Sequence, residues 1–195
     1  MLIRYEDNKK IKMITGNNFQ DGIIRGDGSY YFSKLTHVWG WATWKRAWNM
    51  YDVNMTFWPK FKNSEEFKNL FNIKFVHKYY ASIFDAVYNG KIDTWDYQWN
   101  ACIWFNEGLC VTPNKNLVTN IGFGPDATHT KDINDKYKGS RPTYKVLPLV
   151  HTEKVIRDKK ADEYVFLNSM GGSEMTILKR LVRKIVISEP PIELK

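Results

Sequence analysis

Ile92-Asp93-Thr94-Trp95-Asp96-Tyr97-Gln98-Trp99 reads as the opening of a helix that runs to Glu107 and stops at Gly108. Asp93 or Thr94 can cap it, because a short side-chain oxygen accepts an otherwise unpaired backbone N–H. Asp96 then falls in the first turn, where the helix dipole favours an anion. Strands are expected directly after the helix, at 109–112 and 116–120, separated by Pro113-Asn114. The stretch therefore reads as a helix followed by two strands. The octapeptide admits two readings. An ionised carboxylate flanked by aromatic walls is what a sugar-transferring or sugar-hydrolysing enzyme needs as a general base. Alternatively it is a capped helix whose tryptophans fill the core and whose aspartates face water.

Upstream, residues 64–89 carry apolar positions at helical spacing, started by Ser64-Glu65-Glu66 and stopped by Asn89-Gly90. His77 falls within this helix as a surface or core residue. Trp39-Gly40-Trp41-Ala42-Thr43-Trp44 enters another helix, with Trp44, Ala47, Trp48 and Tyr51 as its buried stripe. The glycine before it lets backbone approach a ligand closely. Residues 29–33 and 11–15 read as strands, and residues 1–10 as the end of an amphipathic helix running into a polar turn. Gly22, Gly26 and Gly28 lack the GxGxxG spacing of a dinucleotide site. Downstream, residues 121–130 form a glycine-rich loop holding Asp126 and His129, a combination that can serve a metal or a phosphate. A short helix is expected over 158–170, and a basic amphipathic helix or strand over 176–188. That basic face either rests on anionic lipid or is solvated.

The 195 residues suit one domain or most of a larger one. At 43% hydrophobic and 26% charged, the chain is globular rather than disordered. All eight tryptophans lie between Trp39 and Trp104. The net charge of +8 comes largely from scattered Lys and Arg, with one cluster at Lys179, Arg180, Arg183 and Lys184. It suits a nucleotide-diphosphate donor or an anionic membrane as well as it suits nucleic acid. Cys102 and Cys110 show no CxxC spacing and no disulfide framework, which fits a reducing, cytoplasmic compartment. No run of about 18 apolar residues suggests a membrane span.

Taken in order, residues 12–19, 26–33, 37–44, 92–99 and 116–130 resemble a bacterial glycosyltransferase-like family with the nucleotide-diphospho-sugar transferase (GT-A) fold, some members of which are labelled haemolytic-protein-like. The resemblance covers about residues 1–165. It implies an α/β chain with a partial GT-A fold, a mixed sheet flanked by helices, with the nucleotide-binding half upstream of Met1. Residues 1–165 would then be the acceptor-side portion and residues 166–195 a tail with a basic amphipathic segment. The implied activity is metal-dependent transfer of a sugar from a nucleotide-diphospho-sugar donor to a glycan or lipid-linked acceptor hydroxyl. Asp96 matches the base that deprotonates the acceptor, with Asp93 the alternative. Trp39, Gly40, Trp41 and Trp95 match substrate-lining positions. Asn17 and Asn18 leave the first strand where open α/β sheets bind ligands. His129 matches a late histidine that completes the shell of a divalent metal, Mn or Mg, held mainly by an upstream acidic motif absent from this sequence. The expected location is cytoplasmic or peripheral to the inner face of the membrane, with no nucleic-acid partner. Two competing expectations are a carbohydrate-binding module stacking sugars on Trp39, Trp41, Trp95 and Trp99, and an inactive truncation.

Overall fold

Ile11-Lys12-Met13-Ile14 and Leu109-Cys110-Val111-Thr112-Pro113 pair in parallel at the centre of the sheet. The structure is a computed structural model that describes residues 1–120 and 141–169. The strands are β1 (Ile11–Ile14), β2 (Tyr30–Ser33), β3 (Ala42–Thr43) and β4 (Leu109–Pro113), in the order β2-β4-β1-β3. Both outer strands run antiparallel to their neighbours, so the sheet is mixed. Between Ile11 and Met13 the register slips by one residue, leaving Lys12 as the extra one. An extra residue inverts the side-chain alternation that follows it. Ile11 thus joins Leu109 on one face, and Met13 joins Cys110 on the other.

The helices are α1 (Lys45–Trp48), α2 (Trp58–Phe61), α3 (Glu65–Lys68), α4 (Lys74–Tyr88), α5 (Trp95–Phe105) and α6 (Lys159–Ser169). They cover the Met13 face with a large aromatic core that includes Trp58, Phe67, Tyr80, Phe84, Trp99, Trp104 and Phe166. Many of these rings meet edge to face, such as Trp58 on Phe84 at 5.2 Å and Tyr80 on Trp104 at 4.6 Å. Burying each such ring contributes on the order of 2–3 kcal/mol. The opposite face carries a smaller group: Tyr5, Ile11, Tyr30, Phe32, Leu109 and Val111.

A buried carboxylate fastens α6 to β2. Asp162 accepts from Ser33 Oγ at 2.5 Å, from the Lys34 amide at 3.2 Å and from Arg157 Nε at 2.6 Å. Burial pushes this carboxyl up, and Arg157 beside it only partly pulls it back. α6 passes through residue 165, with Phe166 packed in the core. The basic segment over 176–188 lies outside the described residues.

Four expectations are corrected. Residues 1–10 are a series of turns, not a helix end. Ile3 is exposed and Tyr5 is the one buried residue of the stretch, so there is no buried stripe to support a helix. The pattern over 64–89 breaks into α3 and α4. Arg157 donates to the Leu70 carbonyl at 2.5 Å and lies over the Phe71 ring, taking a carbonyl that a continuous helix would have used. The Trp39–Tyr51 segment gives β3 before the short α1, because Gly40 turns the chain with φ +58° and Thr43 Oγ1 bonds the Lys12 carbonyl at 2.5 Å. Of the stripe expected there, Ala47 is fully buried while Trp48 is partly exposed. Residues 116–120 form no strand and join no ladder, since Asn116 and Leu117 bond to loops.

Candidate functional site

Two polar regions adjoin each other, and Trp39 belongs to both. The first lies at the carboxyl ends of β1 and β4, where Asn17 and Asn18 were expected to bind substrate. Here the amides brace loop against loop. Asn18 Nδ2 donates to the Pro113 carbonyl at 2.7 Å, and its Oδ1 accepts from the Gln20 amide at 2.9 Å. Asn116 Oδ1 accepts from the Asn18 amide at 3.1 Å, and Asn114 Nδ2 reaches the Arg25 and Gly28 carbonyls at 2.8 Å each. Asn17 Oδ1 accepts from the Trp39 amide at 3.0 Å, while its buried Nδ2 has no partner among the described residues. Phe19 sits between the His37 ring at 4.6 Å and the Arg141 guanidinium at 4.8 Å. Burial pushes His37 down to about 4, and the Arg141 charge adds to this. Thr119 Oγ1 bonds the Arg141 carbonyl at 2.7 Å, so the described residues on either side of 121–140 meet at this same end.

Gly40 has a structural reason that the sequence does not display. The neighbour that a Cβ would strike is Val118, and the positive φ excludes most side chains independently. Its smallness therefore serves a close approach within the chain.

The second region is a cleft of 830 Å³ lined by Val38, Trp39, Tyr51, Val53 and residues 92–98. Asp93, Trp95 and Asp96 line it together with Trp39, which lies more than fifty residues away in sequence. The cap of α5 differs from the expectation. Thr94 occupies the N-cap position with extended backbone, yet its side chain bonds no helix amide. Its hydroxyl donates instead to Asp96 Oδ1, which also accepts from the Tyr97 amide at 2.8 Å. One carboxylate oxygen thus holds two donors, which fixes the carboxyl group and leaves Oδ2 with no bond among the described residues. Asp96 is half-buried and Asp93 exposed, so Asp96 is the better-positioned of the two.

The aromatic wall is built on Trp99. This ring is 1% exposed, and Trp41, Trp48 and Tyr51 surround it at 6.3, 5.2 and 6.3 Å. Trp99 is therefore a post of the core rather than a sugar platform. Trp95 stacks on Trp41 at 5.3 Å with an interplanar angle of 29° and remains 42% exposed. Tyr51 and Gln98, which the sequence reading did not place at the site, bond each other through the Tyr51 hydroxyl and Gln98 Oε1. No local signal marked them, because the two are brought together only where the segment after α1 meets α5.

His129 lies outside the described residues. Among the described residues no three His, Cys, Asp or Glu side chains converge as a metal site. Cys102 and Cys110 are buried free thiols, pushed up to about 11 and about 12 by burial, and so poor nucleophiles. No helix of the described residues is long and apolar enough to cross a membrane. Compared with known proteins, the chain matches no family model, no curated protein and no solved structure.

Proposed function

We propose that this chain is the acceptor side of a GT-A-type glycosyltransferase, moving a sugar from a nucleotide-diphospho-sugar to an acceptor hydroxyl, with Asp96 as the base. The observation that carries this reading is the pinned Asp96 carboxylate in a cleft walled by Trp39 and Trp95. An alcohol is a weak nucleophile until its proton is removed, and Asp96 Oδ2 is the oxygen left to take it. The Thr94 hydroxyl and the Tyr97 amide hold Oδ1 and so fix the carboxyl group, which would keep Oδ2 in line as the acceptor O–H bond breaks and the bond to the sugar carbon forms. The diphosphate leaves with the electron pair of the broken glycosyl bond. The resemblance in residues 12–19, 26–33, 37–44, 92–99 and 116–130 supplies the reaction class. A divalent metal belongs to the reading through that resemblance. Its ligands would lie outside the described residues, His129 among them, and no step above depends on it.

The test is transfer from a panel of nucleotide-diphospho-sugars onto glycan acceptors, comparing the natural protein with Asp96→Asn. Loss of turnover with donor binding intact is the expected result. Full turnover in Asp96→Asn would remove the assignment. A second reading, glycan binding without catalysis, is favoured by the half-exposed Trp95 stacked on Trp41. It predicts glycan binding that Asp96→Asn leaves unchanged, and no transfer with any donor.

A further inference from the structure

We propose that the cleft at the start of α5 takes a neutral or amino-bearing saccharide, seated with its C–H face on the outer face of Trp95, and turns away acidic sugars and phosphorylated acceptors. The inference rests on the reading of the cleft as an acceptor site and names the substrate class of that site.

Charge is the first reason. The chain carries 29 Lys and Arg against 21 Asp and Glu, yet no Lys or Arg among the described residues lines this cleft, whereas Asp93 and Asp96 both do. Basic side chains line other hollows instead: Lys154, Arg157, Lys159 and Lys160 stand with Asp27, Glu153 and Asp158 around a 590 Å³ hollow beside α6. A carboxylate or phosphate on the ligand would meet two like charges with no cation to offset them. Hydroxyl and ammonium groups, by contrast, donate charge-assisted hydrogen bonds to carboxylates.

Shape is the second reason. One face of Trp95 lies on Trp41, so its exposure comes from the remaining face and edges. The face of an aromatic ring is electron-rich, and the C–H groups on one side of a pyranose are its polarised complement. Val38, Val53 and Ile92 add apolar lining, and Gln98 and Tyr51 add amide and hydroxyl groups. That mixture suits a ring with one apolar face and a hydroxylated rim. A hydrocarbon chain would strip water from both aspartates without offering them a bond. A nucleic acid would bring phosphates to a surface without cations.

The experiment uses the full chain and simple glycosides as probes: methyl β-glucoside, methyl β-galactoside, methyl β-glucosaminide and methyl β-glucuronide. Binding is read by ligand-observed NMR, with circular dichroism confirming that each variant is folded. Binding of at least one neutral or amino glycoside is expected, with the glucuronide about tenfold weaker, a difference of roughly 1.4 kcal/mol. Trp95→Ala abolishes the binding, and Asp93→Asn narrows the gap between glucoside and glucuronide. Equal or tighter binding of the glucuronide, unchanged binding in Trp95→Ala, or no binding of any neutral or amino glycoside would each overturn the proposal. Glycoside selectivity without any sugar transfer upholds the proposal and removes the transferase reading. Transfer onto a glucuronide as readily as onto a glucoside does the reverse.

Discussion

The loops at the carboxyl ends of β1 and β4 and the cleft at the start of α5 are both rich in polar side chains, but they use them oppositely. In the loops, Asn18, Asn114 and Asn116 are buried and bonded to backbone. In the cleft, Asp93, Asp96 and Gln98 are partly or fully exposed, and among the described residues Asp96 is anchored through one oxygen only. Buried amides satisfied within the chain have no capacity left for a ligand, and removing one leaves stranded partners. A carboxylate held on one side and open on the other has that capacity. The lesson is that the scaffold and the candidate chemistry lie side by side, joined at Trp39, whose amide bonds Asn17 while the residue lines the cleft.

The sharpest way to break this contrast is Asp96→Asn, expected to lower turnover by roughly 10²–10⁴-fold, the range for loss of a general base. Thermal unfolding should stay near that of the natural protein, since Asn still accepts the bonds from Thr94 and Tyr97. A large fall in melting temperature would place Asp96 with the scaffold instead.

The next effect concerns His37 in the braced loops. Its folded pKa lies below its unfolded value, so the stability it contributes is present above about pH 6.5 and is lost as pH falls toward about 4. The size is about 3 kcal/mol, because the unfolded chain takes up a proton that the buried ring refuses. Urea unfolding at pH 7 and pH 4 should show His37→Gln losing less stability than the natural protein. Identical losses would remove His37 as the source.

Asn114→Ala should cost about 2 kcal/mol by stranding the Arg25 amide and the Arg25 and Gly28 carbonyls. Glycan binding in the cleft should survive at a temperature where the variant is folded. Loss of binding in a folded Asn114→Ala would show that the two regions are coupled.

Gly40→Ala should cost about 1–2 kcal/mol from the left-handed backbone alone. Val118 must also shift to admit the new methyl group. Val118→Ala made together with Gly40→Ala should recover part of the loss. A fully additive double variant would mean that the two side chains do not meet.

Much of the fold was legible in the chain. The strands β1, β2 and β4 and the helices α4, α5 and α6 stand where periodicity and the Gly108 stop put them. Local patterns succeed here because each element buries one consistent face. They fail where a distant residue intervenes. Arg157 divides the 64–89 pattern by taking the Leu70 carbonyl, and no residue near Leu70 announces it. Thr94 looked like a cap and sits at the N-cap, but its hydroxyl bonds a carboxylate two residues on. In the candidate site, Asp93, Asp96, Trp39 and Trp95 were marked by residue type and spacing. Tyr51, Val53 and Gln98 were not, since nothing in a helix stripe tells a cleft wall from a core.

By itself, the sequence determined the α/β class, the elements that flank the sheet and the residue types able to do chemistry at the start of α5. These follow from short-range physics: side-chain period, capping and turn preferences. Only the tertiary structure decided which polar groups were available. Whether an asparagine is a brace or a ligand, and whether a tryptophan is a post like Trp99 or a platform like Trp95, depends on what packs against it. Burial and partner satisfaction are properties of contacts between distant segments, and no local stretch of the chain carries them.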